Sequence, residues 1–187
     1  MPGINGTIDL ELTDTKTNAI IMEKTIPMNS FLNNMANLMA TVFNNKWYDL
    51  HSTEGGVITT LYLSSGYTFI ATAGNEYGIV VGTGDTAWDY GQNCLIAQIT
   101  HGTGAGQLIY GMEVATDPTW SDTKWLFPKY RNFTNNSGGT IIVKEIGVCG
   151  FNSYSSCRYM VSRDVPTPIT MSDSNNLKVT MSIELTA

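Results

Sequence analysis

The sequence predicts an all-β protein: an antiparallel, jelly-roll-like β-sandwich with an N-terminal hairpin arm and one α-helix. Charged residues make up only 14% of the 187 residues, and 18 residues are Gly, whereas an ordinary soluble domain carries about 25% charged residues. Strand-like segments recur at roughly 8–12-residue spacing between Gly and Pro turns. No βαβ alternation or repeat of fixed period interrupts this pattern. We therefore expect residues 1–50 to form the arm and helix, and residues 51–187 to form the sandwich.

The first element is a predicted hairpin at residues 6–26. Ile8, Leu10 and Leu12 alternate with polar residues, which is the period-two pattern of a half-buried strand. Turn-forming Asp, Thr and Asn cluster at 14–18. The chain is therefore expected to return as a second strand that ends near residue 26.

The next element is the helical pattern at about residues 29–45. Asn29 or Ser30 is the expected N-cap. The polar face is rich in Asn and nearly uncharged, so we expect the helix to pack against a sheet or a neighbouring subunit. The apolar residues recur at three- and four-residue spacing, and they are Phe31, Met35, Leu38, Met39, Val42 and Phe43.

The sandwich strands are predicted from apolar runs that end at turn residues. The clearest hairpin signal is Asn-Asn-Ser-Gly-Gly at 135–139. The strongest strand is the last one, in which apolar and polar residues alternate strictly. The predicted strands lie at 57–63, 77–81, 94–99, 108–114, 125–133, 140–148, 158–164 and 177–185.

Charge and cysteine usage exclude several classes of protein. A formal net charge of −6 argues against nucleic-acid binding, which needs clustered Lys and Arg. We expect no secretory signal, and no apolar run reaches the roughly 18 residues that span a bilayer. Cys94, Cys149 and Cys157 are odd in number and widely spaced. We therefore expect buried free thiols in a reducing cytoplasm rather than a Cys149–Cys157 bridge.

Catalytic motifs are incomplete in this sequence. His-Gly-Thr-Gly at 101–104 is similar to the oxyanion segment of esterases, but no Gly-x-Ser-x-Gly nucleophile motif accompanies it. The same glycine run lacks the third glycine of a dinucleotide-binding motif, because position 107 is Gln. We expect residues 102–106 to be a flexible loop between strands.

Metal and cofactor sites are not predicted. Two distant His and three scattered Cys offer no zinc-ligand spacing. The oxygen-rich loops are residues 117–122 and the group Asp173, Asn175 and Asn176. They are candidates for Ca²⁺, but they lack the spaced carboxylates of an EF-hand loop, so we expect solvated turns.

Glu113 and Glu145 are the nearest candidates for the carboxylate pair of a glycoside hydrolase. We favour a structural interpretation, in which they lie on a solvent face or pair with Arg131, Arg158 or Arg163. No catalytic residue is assigned.

Aromatic and Met side chains form the predicted binding set. Trp120 and Trp125 flank a predicted hairpin tip at 121–124, and amphipathic rings suit either a subunit interface or the stacking of a sugar. We favour the interface. The set comprises Trp120, Trp125, Tyr90, Phe31, Met35 and Met39.

Three segments carry a resemblance to known proteins: YGIVVGTG at 77–84, RNFTNNSGGTIIVKEIG at 131–147 and YMVSRDV at 159–165. Over roughly residues 55–187 the chain resembles small structural proteins of tailed-bacteriophage virions, of the tail and capsid-decoration type. The resemblance implies a β-sandwich building block without enzymatic activity.

The expected function is therefore a non-enzymatic, homo-oligomeric component of a tailed-phage virion, on the capsid as a decoration protein or head fibre, or on the tail. Its expected partners are itself and other virion proteins, with no nucleic acid and no membrane insertion. It is expected to be assembled in the host cytoplasm and to reside in the virion. The alternative is a carbohydrate- or receptor-binding module of a tail appendage that contacts a host surface glycan.

Overall fold

A computed structural model describes residues 3–28, 30–44, 49–59, 67–74, 76–121, 123–153 and 157–186. Within these ranges the chain is almost entirely β-strand and loop, with one helix. The elements are β1 Gly3–Asp14, β2 Ile20–Pro27, α1 Asn33–Asn44, β3 Asp49–His51, β4 Val57–Thr59, β5 Tyr67–Thr68, β6 Gly78–Gly82, β7 Ile109–Tyr110, β8 Val114–Ala115, β9 Thr119–Ser121, β10 Lys124–Thr134, β11 Ile141–Val143, β12 Glu145–Asn152, β13 Cys157–Asp164, β14 Ile169–Met171 and β15 Asn175–Thr186.

The first layer is an antiparallel sheet with β15 at its centre. On one side β15 pairs with β1 along the whole strand, with Leu177 opposite Leu12. On the other side it pairs with β10, with Leu177 opposite Phe133. β2 flanks β1, and the short strands β7, β8 and β9 lie along the free edge of β10. The predicted N-terminal hairpin is therefore present, and its first strand is hydrogen-bonded to the last strand of the sheet.

The second layer is built on β12. This strand pairs with β13 on one side and with β5 and β6 on the other, all antiparallel. A bulge between Val148 and Cys149 shifts the register of the β12–β13 pair. Two short antiparallel pairs, β3 with β4 and β11 with β14, complete the described strands.

The two layers bury a common apolar core. Ile8, Leu10 and Leu12 of β1 are buried while the residues between them are more exposed, because successive side chains point to opposite faces of a strand. The other core contributions include Leu177, Val179 and Met181 from β15 and Ile146, Val148 and Met160 from the second layer. The predicted all-β sandwich is confirmed, while the division of the chain at residue 50 stays a prediction.

The hairpin predicted at 135–139 is wrong. β11 pairs with β14 rather than with β10, so the chain leaves the first sheet at this point. The buried Asn135 side chain supplies hydrogen bonds in place of those that a hairpin would form. Its Nδ2 donates to the carbonyls of Gly139 (2.8 Å) and Met171 (2.9 Å). Its Oδ1 accepts from the backbone and the hydroxyl of Ser137. A turn-rich sequence therefore links two sheets instead of two paired strands.

The strand predicted at 94–99 is also wrong, because the segment is irregular apart from a single bridge between Gln98 and Gly82. The backbone N–H groups of Ile96 and Ala97 donate to the Glu145 carboxylate, as described below, whereas the Ile99 N–H donates to the Val81 carbonyl of β6 (3.0 Å). The strand predicted at 108–114 is divided between β7 and β8. Of the strand predicted at 57–63, residues 57–59 form β4 and the rest lie outside the described residues.

The helix begins later than predicted. α1 starts at Asn33, so Ser30 is not its cap, and Asn29 lies outside the described residues. The Ser30 carbonyl accepts from the Arg163 backbone N–H (3.2 Å), and the Leu32 N–H donates to the Val161 carbonyl (2.9 Å). These bonds tether the chain before α1 to β13. α1 itself packs on β13 and β3, which confirms the prediction that it covers a sheet.

Two cysteines are free thiols. Cys149 is fully buried in β12 and Cys94 is half-buried, which excludes a Cys149–Cys157 bridge; the side chain of Cys157 lies outside the described residues. Burial raises the pKa of Cys149 from 9.0 to about 12, since an apolar environment disfavours the thiolate.

The Cys149 pKa predicts a loss of stability in alkaline solution. Between pH 9 and 12 the unfolded chain releases the thiol proton while the folded chain retains it, so the free energy of unfolding falls as pH rises. At pH 10 this contribution is at most about 1.4 kcal/mol. Urea titrations at pH 8 and 10 measure it. Cys149→Ala should show a shallower decline than the wild type, and identical declines would contradict the prediction.

Candidate functional site

A cluster of charged side chains anchors the loops beside β10. It consists of Arg131 and Lys129 of β10 and Glu113, the residue before β8. The fully buried Arg131 donates to four backbone carbonyls, and its guanidinium carbon lies 4.8 Å from the centre of the Tyr110 ring. Burial lowers the pKa of Arg131. The four carbonyls belong to Thr72 (3.2 Å), Tyr77 (2.6 Å), Ile79 (3.0 Å) and Gly111 (2.9 Å).

Glu113 belongs to the same cluster and is buried. Its Oε1 lies 2.7 Å from Nζ of Lys129. The carboxylate also accepts from the backbone N–H groups of Ala71 (3.0 Å) and Ile79 (3.3 Å). Burial lowers the pKa of Lys129, and the neighbouring Glu113 carboxylate opposes this shift. The carboxylate therefore serves as a hydrogen-bond acceptor for a loop and as a counter-ion for Lys129.

Glu145 and Arg163 form a second, fully buried ion pair in the other layer. Arg163 Nε donates to Oε2 of Glu145 at 2.8 Å, and neither side chain is accessible to solvent. The carboxylate also accepts from three backbone N–H groups, those of Gly84 (3.1 Å), Ile96 (3.0 Å) and Ala97 (2.8 Å). This pair explains why residues 94–99 are ordered without being a strand.

The carboxylates considered for glycoside hydrolysis are thus bound to separate cations and separate loops. Pairing with Arg163, foreseen from the sequence, is confirmed for Glu145. For Glu113 the partner is Lys129, which sequence reasoning missed because a Lys–Glu contact between distant segments leaves no local signal. Glu113→Gln and Glu145→Gln are therefore changes to structural ion pairs.

The predicted residues Phe31 and Met35 line an apolar groove of about 360 Å³ between α1 and the first sheet. The opposite wall includes Phe127 of β10 and Ile183 of β15, which lie directly opposite each other in register. Phe127 is 38% exposed. We call this feature the apolar groove. Met39 is half-buried on α1 and is not among the described residues that line it.

Trp120 and Trp125 lie on the same face of the first sheet as the wall of the apolar groove. They are cross-strand partners on β9 and β10, their ring centres lie 5.5 Å apart, and they are 50% and 44% exposed. Trp125 and Phe127 are two residues apart on one strand, so both point to the face that carries the groove wall. The predicted hairpin tip is confirmed, although Asp122 at its turn lies outside the described residues.

Tyr90 lies apart from the groove, in a polar cleft beside the start of α1. This cleft also has a volume of about 360 Å³, and His51 and Asp89 are among its lining residues. The Tyr90 side chain is 61% exposed. The structure therefore brings Phe31 and Met35 together with the groove wall, and it places Tyr90 at a different site.

The remaining candidate motifs have structural partners. In the segment similar to an esterase oxyanion segment, the backbone N–H groups of His101, Gly102 and Gly104 donate to Oε1 of Glu76 (2.8 Å), the Leu108 carbonyl (3.0 Å) and Oε1 of Gln107 (2.9 Å). Asp173 accepts from the Gly138 N–H at 2.9 Å, as a turn residue does. Within the described residues no cluster of three metal-ligating side chains occurs, and no helix there is long and apolar enough to span a bilayer.

The chain matches no family model, no curated protein sequence and no solved structure. The arrangement of its own residues is therefore the basis for assigning a function.

Glu145→Gln is expected to destabilise the protein by about 3–5 kcal/mol, because it leaves Arg163 as an uncompensated buried charge. The amide NH₂ would also face a backbone donor in either orientation. Urea denaturation measures the change. Asp85→Asn is a matched control that removes the same charge from an exposed ion pair with Lys144 (2.9 Å), and little change is expected. Equal effects of the two substitutions would contradict the assignment.

Gly82→Ala is expected to cost about 1–3 kcal/mol. A Cβ at this position would overlap the Glu145 carboxylate and lie 2.6 Å from the Ala97 carbonyl oxygen. Gly139→Ala is the control, since nothing lies within 4 Å of a Cβ there. Thermal unfolding of both variants checks the prediction, and an unchanged midpoint for Gly82→Ala would contradict it.

Proposed function

We propose that this protein is a non-enzymatic structural component of a tailed-phage virion, a homo-oligomeric building block on the capsid, as a decoration protein or head fibre, or on the tail. The observation that carries the assembly part of the proposal is the apolar groove together with the exposed Trp120–Trp125 pair. The virion assignment follows from the resemblance of residues 77–84, 131–147 and 159–165 to small virion proteins. A second copy of the chain is the proposed occupant of this surface, and other virion proteins are its further partners.

The geometry of β10 supports an interface at this surface. The inner face of the strand is buried at Phe133 and Arg131, and it becomes progressively exposed through Phe127 and Trp125. Burying apolar and aromatic surface of this kind in an interface contributes roughly 25 cal/mol of favourable free energy per Å². Trp and Phe are also enriched in the centres of protein interfaces.

The charge distribution supports the same proposal. Lys129 lines the groove, but its ammonium group is paired with Glu113 and is little exposed. A partner that covers the groove therefore does not have to desolvate an unpaired cation. The scarcity of charged residues in the whole chain, 14%, lowers the same cost elsewhere on the surface. The buried, hydrogen-bonded states of Glu113 and Glu145 support a structural rather than a catalytic use of the acidic residues.

The alternative is a carbohydrate- or receptor-binding module of a tail appendage, proposed because the Trp120–Trp125 pair is an exposed aromatic platform. Both functions use the Trp120–Trp125 pair, so they are alternatives at this surface: the pair is covered by a second copy of the chain, or it is exposed to contact a glycan.

Phe127→Asp is expected to shift the protein from oligomer to monomer, because it places a charge in the proposed interface. Size-exclusion chromatography with light scattering at micromolar concentration measures the mass. Ile20→Asp is the control, since Ile20 is an exposed apolar residue on β2 and is not among the described residues of the groove. A wild-type protein that is strictly monomeric, or an oligomer that tolerates Phe127→Asp, would overturn assembly through the groove.

A further inference from the structure

The Tyr90 cleft is a second concave site, formed where three segments meet. The segments are the first residues of α1, the end of β3 and the loop at 89–93. Its volume of about 360 Å³ lies within the roughly 300–1,000 Å³ of small-molecule sites. In contrast to the apolar groove its walls are polar. The polar residues that line it are Asn33, Asn34, His51, Asp89, Tyr90, Gln92 and Asn93.

The walls of the cleft are held together by buried polar contacts. Asn34 is only 2% exposed, and its side chain binds both backbone groups of His51: Nδ2 donates to the carbonyl and Oδ1 accepts from the N–H, each at 2.8 Å. The Asn33 N–H donates to the Tyr90 carbonyl at 3.0 Å. The helix, the strand end and the loop are therefore fixed relative to one another, so a ligand does not have to order them.

Each polar residue of the loop uses one side-chain atom for the fold and leaves another for a ligand. Oε1 of Gln92 accepts from Arg163 (3.0 Å) and from the Asp89 N–H (3.2 Å), so its Nε2 is available as a donor. Nδ2 of Asn93 donates to the Ser52 carbonyl (2.9 Å), so its Oδ1 is available as an acceptor. One oxygen of Asp89 accepts from a backbone N–H (2.8 Å), which leaves the other as an acceptor.

The available groups match the chemistry of a sugar. A pyranose presents neighbouring hydroxyl groups that both donate and accept hydrogen bonds, and an apolar C–H face that packs on an aromatic ring. Gln92, Asn93 and Asp89 supply the donor and acceptors, and the exposed Tyr90 ring supplies the platform. Among the described lining residues there is an Asp and no Lys or Arg, so an anionic ligand would be unpaired and repelled.

We propose that the Tyr90 cleft binds a neutral pyranose sugar, with the Tyr90 ring stacked on the sugar and Gln92, Asn93 and Asp89 hydrogen-bonded to its hydroxyl groups. This inference goes beyond assembly through the apolar groove, and it does not depend on that assembly because the two sites are lined by different residues.

Saturation-transfer NMR on the full chain tests the proposal with methyl glycosides of mannose, galactose, rhamnose and N-acetylglucosamine as probes. Glucuronic acid and sialic acid serve as anionic comparisons. At least one neutral glycoside is expected to bind with a dissociation constant below about 10 mM, and the acids are expected to bind at least about tenfold more weakly. Tyr90→Ala should weaken the binding about tenfold or more, whereas Tyr90→Phe should retain it because the ring is kept.

Met112→Ala is the matched control, because Met112 is 61% exposed, as Tyr90 is, and it is not among the described residues that line the cleft or the apolar groove. Since Tyr90 is exposed, its replacement should leave the unfolding midpoint unchanged, which urea denaturation verifies. The proposal is overturned when no neutral glycoside gives a signal, when Tyr90→Ala leaves binding intact, or when Met112→Ala weakens binding as much as Tyr90→Ala does. These outcomes are independent of the oligomeric mass, so failure here is distinguishable from failure of the interface proposal.

Discussion

The loops of this protein depend on two carboxylates that are buried within it. Glu113 and Glu145 accept hydrogen bonds from the backbones of residues 71, 79, 84, 96 and 97, which lie in or beside the irregular stretches flanking β6. Buried N–H groups must find acceptors, and here side chains provide what a neighbouring strand provides in a regular sheet. Their counter-ions come from different layers, Lys129 from β10 and Arg163 from β13, so both layers hold the loops.

This use of charge inside the molecule also shapes its exterior. Lys129, Arg131 and Arg163 are three of the ten Lys and Arg residues of the chain, and all three have their charged groups among buried partners. The surface is left with few cations and with many neutral polar groups, which can form close contacts without the cost of desolvating ions. The apolar groove and the polar Tyr90 cleft are two different surfaces on the same charge-poor exterior.

The sequence predicted those strands whose own residues carry the signal, as an alternation of apolar and polar residues or as an apolar run that ends at turn residues. β1 and β15 were foreseen because one face of each strand is buried and the other is more exposed, so that apolar and polar residues alternate along the sequence. β10 was foreseen as an apolar run that follows a polar turn. Residues 94–99 and 135–139 were mistaken, because side chains, those of Glu145 and Asn135, bind part of the backbone of these segments. Such partners leave no periodic signal in the sequence. In the candidate site Met35 was foreseen from helical spacing. Phe31 was selected by the same spacing, but it lies before α1 and forms a β-bridge with Ser162. Phe127 was missed, although it follows Trp125 at the two-residue spacing of a strand.

The pairing of β1 with β15 also determines how the molecule reaches its native state. Leu12 and Leu177 meet across these strands, so the central ladder of the first sheet joins segments that are separated by most of the polypeptide. Bringing such distant segments together costs a large loop-closure entropy before the contact contributes any stability. Proteins rich in distant strand pairings therefore fold slowly. During synthesis β1 and β2 emerge long before β15, and until then β1 has an unpaired edge. The ladder between β1 and β15 therefore cannot form before β15 has been synthesised.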